Sequence, residues 1–173
     1  MSGSSVFLYI FHGLSNLFPG GTVHSYRRAS FLRRLGLQIG KDSFFGKDIF
    51  VLDYKKLKIG QNSGINHQVY FDCQGVPITI GDGCLVGFRS CFITGVHKLT
   101  TDFKSLRPLT ELKPITIEDY VWIGANVTVY PGVTIGRGSV ISAGSVVTRD
   151  IEKYSLAAGI PAREIRLLEP ENL

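Results

Sequence analysis

The chain repeats itself every six residues. Large apolar residues stand at Ile39, Phe45 and Val51, then at Ile59, Ile65 and Phe71, and then at Ile80, Val86 and Phe92. After a break they resume at Ile117, Ile123 and Val129 and run on through Ile135, Ile141 and Val147. A six-residue period is neither the period of a helix nor the alternation of a single strand. It fits a short flat strand followed by a turn, with one apolar side chain pointing inward per strand. Three such units close a triangular coil, and successive coils stack by pairing backbone with the coil above and below. The residue four places further on is small or β-branched, as at Ser43, Ser63, Cys84, Ser90, Val121, Val127, Ser139 and Ser145, which suits the inside of a corner. The expected fold is therefore an all-β solenoid of about five triangular coils.

The interruptions of two, three and nineteen residues fall only at the ends of three-unit blocks, where a coil can bulge outward without disturbing the stack. The longest opens directly after His97. A regular solenoid has flat faces and offers no pocket, whereas a projecting loop supplies a wall. Leu99, Phe103, Leu106, Leu109 and Leu112 make residues 98–114 too apolar for a free linker. Loops of this length in compact domains are usually functional. His97 sits where the repeat ends and the loop begins. Imidazole titrates near neutrality and can take a proton from a hydroxyl.

Length bounds the chain to one domain, since 173 residues with 44% hydrophobic content can bury a real core. The formal charge of +5 favours anionic partners. No basic and aromatic patch or known motif points to nucleic acid. The three cysteines, Cys73, Cys84 and Cys91, form no Cys-x-x-Cys pair, so a disulfide framework or zinc knuckle is not expected and a reducing, cytoplasmic setting is. The apolar stretch "SVFLYIFHGLSNLF" is short for a membrane span and lacks a signal peptide's features. It reads as a packed helix rather than a membrane contact, and Arg27, Arg28, Arg33 and Arg34 after it read as a solvated helix face.

The period, together with "GVH", the long loop, "VWIG", "PGVTIG", "AGSVV" and "GIPA" in that order, closely resembles the hexapeptide-repeat acyltransferases. The resemblance covers about residues 35–168 and is to the sugar O-acetyltransferase branch, similar to maltose, galactoside and bacterial surface-polysaccharide acetyltransferases. It implies a left-handed parallel β-helix over residues 39–152, a helical N-terminal cap over residues 1–38, and a turn and short helix over residues 153–173. It also implies a homotrimer with active sites between subunits, acetyl-CoA as co-substrate, a saccharide acceptor in surface polysaccharide or glycolipid synthesis, and no metal.

Residue by residue, the resemblance makes His97 the general base. It places a backbone N–H for the oxyanion at Ala125. Trp122 and Gly124 would line the pantetheine slot, and the backbone at Ala125 and Ala143 would bond the pantetheine amides. Thr148 and Arg149 match a Thr-Lys pair near the CoA phosphates, and Arg163 and Arg166 are further phosphate partners. For the acceptor, Asn66, His67 and Asp72 precede the His97 coil and could face the same cleft, or be solvated turn residues. Asp102, Glu111 or a backbone carbonyl could orient His97. Cys91 lies six residues before His97, a spacing that puts it one face away rather than beside it, so no Cys–His pair is expected.

Other functions remain open on this fold. A zinc hydratase of the γ-carbonic anhydrase type needs three histidines, and His67 and His97 lack a matching third. A non-catalytic scaffold would not need His97, the loop and the CoA-like tail together. Amino-sugar N-acylation and serine acetylation are alternatives within acyl transfer.

Overall fold

A computed structural model describes residue 17, residues 22–97 and residues 110–169 of the chain. Its strands form a three-sided prism. Face one stacks Gln38–Ile39, Leu57–Ile59, Ile78–Ile80, Ile115–Ile117 and Thr134–Ile135. Face two stacks Phe44–Phe45, Gly64–Ile65, Leu85–Val86, Trp122–Ile123, Val140–Ile141 and Ser155–Gly159. Face three stacks Phe50–Val51, Tyr70–Asp72, Cys91–Ile93, Thr128–Val129 and Val146–Val147. These neighbours all pair in parallel, and like positions of the repeat meet, as in Ile59 with Ile80 and Ile123 with Ile141. Parallel sheets of this kind, with the six-residue repeat, fit a left-handed β-helix.

Every periodic residue from Ile39 to Val147 is buried, at 5% exposure or less. The residues four places on are buried too, and the serines among them join one coil to the next. The Ser43 hydroxyl donates to the Gly60 carbonyl at 2.8 Å and accepts the Ser63 N–H at 3.0 Å. The Ser63 hydroxyl then donates to the Gly81 carbonyl at 2.8 Å and accepts the Cys84 N–H at 3.0 Å. Cys84 carries the ladder on with its thiol, which reaches the Glu118 carbonyl at 3.0 Å. Burial pushes that thiol up to about 11. The chain turns most corners by placing the third residue after the inward one at positive φ, including Asp42, Asn62, Arg89, Tyr120 and Asn126. Asn and Asp tolerate this conformation, while Tyr and Arg hold it against a steric cost.

Helix α1 (Thr22–Arg34) closes the first coil. Two of its arginines are not the solvated face expected from the sequence. Arg28 is fully buried and its guanidinium donates to the Phe45 carbonyl at 2.9 Å. Arg33 donates to the carbonyls of Ile39 and Gly40. The first coil has no coil beneath it, so its downward carbonyls would be unpaired, and the guanidinium groups supply the missing donors. Burial lowers the Arg28 pKa, and the charge of Asp48 opposes that shift. The apolar stretch before Thr22 lies outside the described residues except for Leu17. Among the described residues no helix is long and apolar enough to cross a membrane.

The expected C-terminal helix is a β-hairpin instead. Ser155–Gly159 pairs in parallel with Val140–Ile141, and Ala162–Leu167 folds back against it. The turn is where the sequence placed it, around a cis Ile160–Pro161 bond. The helical reading failed because the last coil leaves an open sheet edge, and pairing with that edge satisfies backbone groups that a helix would leave exposed. Residues 153–167 therefore extend face two rather than forming a separate cap.

Candidate active site

The prism has three corners, and two of them matter. Between faces two and three the corner turns are short. Along the upper coils of face two this corner carries an apolar groove of about 560 Å³. It is lined by Asn66, Phe88, Trp122, Val140 and Leu156, with the small residues Gly124, Ala125, Ser142 and Ala143 at the turns. Trp122 is 56% exposed and Phe88 51%, so neither is core filler. The register explains the arrangement. Leu85, Trp122, Val140 and Leu156 face one another on successive strands and all point outward, one place before their inward-pointing neighbours.

The turns also expose backbone donors. The second residue after each inward one turns its N–H outward at the corner, and at some turns a side chain accepts it. Lys47 N–H meets His67 Nδ1 at 2.9 Å, Gln61 meets Asp82 at 2.9 Å, and Arg137 meets Glu118 at 2.8 Å. At Phe88, Ala125 and Ala143, the equivalent positions on the groove, no described residue accepts the N–H, and at the last two the side chain is only a methyl group. Two donors on an apolar groove with small side chains are what a slender chain containing amides requires.

The corner between faces three and one holds all three interruptions of the repeat. The first is a single 3₁₀ turn, Tyr54–Lys56, capped by the Asp53 carboxylate. The second is the excursion at residues 73–77. The third begins as an antiparallel ribbon, in which Gly95–His97 pairs with Thr110–Leu112. Residues 98–109, with Leu99, Phe103, Leu106 and Leu109, lie outside the described residues, as does Asp102. His97 is exposed at the ribbon's described end, opposite Thr110. Glu111 pairs with Val96, on the other face of the ribbon from His97. Lys113 engages its carboxylate at 2.8 Å.

The structure brings together Asn66, Trp122, Gly124, Ala125 and Ala143. It does not bring His97 to them, because His97 belongs to a different corner. The other two candidate acceptor residues lie apart from the groove. His67 accepts the Lys47 N–H through Nδ1, within the corner, and does not line the groove. Asp72 is 7% exposed and lies under the ribbon on face three, where Gln74 Nε2 donates to it at 3.4 Å.

The arginines divide as well. Arg166 stands opposite Leu156, at the end of the groove's outward column. Arg149 and Arg163 line a separate pocket of about 340 Å³ with Asp150, Glu152 and Glu164, and Thr148 is exposed beside Arg149. Phe88, Val140, Ser142 and Leu156 were missed by sequence reasoning. The signal for Val140 and Leu156 was their registration with Trp122, which is visible only once strand pairing is known. Cys91 lies half-buried on face three and burial pushes its thiol pKa up, which suits an inert residue rather than a nucleophile. Among the described residues no three His, Cys, Asp or Glu side chains are grouped to hold a metal ion.

Comparison with known proteins places this geometry. The model "Bacterial transferase hexapeptide (six repeats)" matches residues 114–149, and "Hexapeptide repeat of succinyl-transferase" matches residues 77–97. Galactoside O-acetyltransferase of Escherichia coli is 32% identical over 140 residues, 81% of this chain and 68% of that protein. The chain belongs to the hexapeptide-repeat acetyltransferases, in their sugar O-acetyltransferase branch. Sophorolipid acetyltransferase of Starmerella bombicola is 36% identical over 152 residues, 83% of this chain and 57% of that protein. Among solved structures, a hexapeptide-repeat acetyltransferase of Vibrio cholerae complexed with acetyl-CoA has a TM-score of 0.79 and 36% identity, covering 97% of this chain and 91% of that one. The chain spans 45–60% of the length of several curated relatives that it matches.

Proposed function

We propose that the protein transfers the acetyl group of acetyl-CoA to a hydroxyl of a saccharide acceptor. The observation that carries this reading is the pair of unaccepted N–H groups at Ala125 and Ala143 on an apolar groove beside Trp122. An arm of alternating methylenes and amides fits that combination, and Arg166 at the groove's end suits its phosphates. The relatives named for acetyl transfer to galactosides and sophorolipids support a sugar hydroxyl as acceptor. A glycan or glycolipid of the cell surface is the proposed setting.

In this mechanism His97 is the general base. The acceptor O–H bond breaks toward the imidazole, the C–O ester bond forms, and the C–S bond of the thioester breaks. The imidazolium then returns the proton to the departing thiolate. The Ala125 N–H stabilises the oxyanion that develops on the carbonyl. Trp122, Val140 and Leu156 exclude water along the groove, and Asn66 supplies an amide toward the acceptor.

The site requires a second copy of the chain, since His97 and the groove stand at different corners. The homotrimer is the proposed assembly. Face one presents Gln38, Lys58 and three threonines, Thr79, Thr116 and Thr134, and is polar. Face two presents Leu85 and Trp122, and face three presents Phe50 stacked on Tyr70 at 4.6 Å, both about 40% exposed. Two apolar faces at the groove's corner are what subunit contact would cover.

The test is thiol release from acetyl-CoA with a panel of glycosides, amino sugars and serine. Hydroxyl-dependent release that falls by about 10²–10⁴-fold in His97→Ala, with CoA binding retained, is expected. Release only with amino acceptors would replace O-transfer by N-transfer.

A further inference from the structure

The ribbon that carries His97 is held at its root by one buried residue. Thr94 is the last residue before Gly95–His97 leaves the prism, and it is fully buried. Its hydroxyl donates to the Asp72 carbonyl and accepts the Gln74 N–H at 3.0 Å. Its own carbonyl accepts the Lys113 N–H at 2.9 Å, from the strand returning out of the loop. Thr94 thus joins both strands of the ribbon to the coil below.

That coil is shaped to receive the ribbon. The chain leaves face three after Asp72 and makes the excursion at residues 73–77, directly beneath the ribbon's root. Leu112 lies over Gly75, whose φ of +69° suits a tight turn, and a β-carbon there would meet Leu112 Cδ1 at 3.7 Å, an ordinary van der Waals distance. The small insertion in the repeat therefore braces the large one. The ribbon is tied to the excursion through Thr94 on the Asp72 and Gln74 backbone, with Leu112 placed above Gly75. A two-stranded ribbon alone is only marginally stable in water, so its direction depends on such anchorage.

We propose that Thr94 is a positioning residue for His97, and that the excursion at residues 73–77 is the bracket that sets the ribbon against the neighbouring subunit's groove. This rests on His97 being the general base. Anchorage at the root matters because His97 must meet a hydroxyl held by another chain, and a displacement near 1 Å costs about 10²-fold in rate.

Thr94→Val keeps the shape and removes the hydroxyl, and Thr94→Ser keeps the hydroxyl and removes a methyl group. The expected result for Thr94→Val is a kcat loss approaching 10²-fold with the KM for acetyl-CoA within about twofold, because the CoA groove is at another corner. Thr94→Ser should recover kcat to within about threefold. Lys113→Pro removes the other tether, the N–H to the Thr94 carbonyl, without touching the buried side, and reports the same anchorage if Thr94→Val does not fold. It should lower kcat in the same way. If the folded variants keep wild-type kcat while His97→Ala is dead, the positioning role is overturned and the base assignment stands. If His97→Ala is itself active, both fall together.

Discussion

Mixed assemblies give the sharpest test of a shared site. His97→Ala spoils the base at one corner of a subunit, and Trp122→Ala spoils the groove at the other. Each variant alone should be nearly inactive. If His97 of one chain serves the groove of its neighbour, a site is intact when a Trp122→Ala subunit supplies His97 to the groove of a His97→Ala subunit. In a randomly mixed equimolar assembly each position has an even chance of holding either chain. An ordered pair of the required kind then occurs at about one quarter of sites, whatever the number of subunits in a closed ring. The expected activity after unfolding and joint refolding is about 25% of wild type, well above the sum of the parents. If His97 and the groove of the same chain worked together, every site would retain one lesion and recovery would be absent. The assay is thiol release after refolding, with differential affinity tags used to confirm that mixed species formed. Mixed species at the parental rate would refute the shared site. The placement of His97 and Trp122 at separate corners would then have to be bridged by residues 98–109 folding back onto their own subunit.

The bulge in the C-terminal hairpin supplies a second prediction. Pairing shifts between Leu156 and Ala157, leaving Ile165 as the extra residue, so that Arg163 and Arg166 both face partners of one outward set, Ala158 and Leu156. Arg166→Ala should raise the KM for acetyl-CoA with kcat at saturation little changed, read by steady-state kinetics. Ser63→Ala leaves the buried Cys84 N–H without its acceptor and should cost about 1–3 kcal/mol, a fall of several degrees in thermal midpoint. A midpoint within one degree of wild type would remove the hydroxyl ladder from the account of stability.

Much of this protein is legible in one dimension because its contacts are nearly local. Each inward residue, from Ile39 to Val147, meets the equivalent residue of the next coil, so periodicity fixed fold class, core and strand positions. The same regularity marked His97 and the loop after it, since a break in a period is itself a signal. Motif likeness reached Trp122, Ala125 and Ala143 because the groove is built from turns of the repeat.

What lay beyond the sequence depended on pairing at places where the period gives no instruction. The local bonding of His67 and Asp72 was not visible either: His67 Nδ1 accepts the Lys47 N–H, and Asp72 lies buried in the packed corner under the ribbon. Arg28 and Arg33 read as solvent-facing until the first coil's unpaired carbonyls were seen above them. The segment "AREIRL" has the three-residue spacing of a helix face, yet it forms a bulged strand, because the last coil offers an edge to pair with. The separation of His97 from its groove follows from the number of corners turned between them. Repeat position states which way a side chain points within its own coil; the closed prism decides which side chains can share a site.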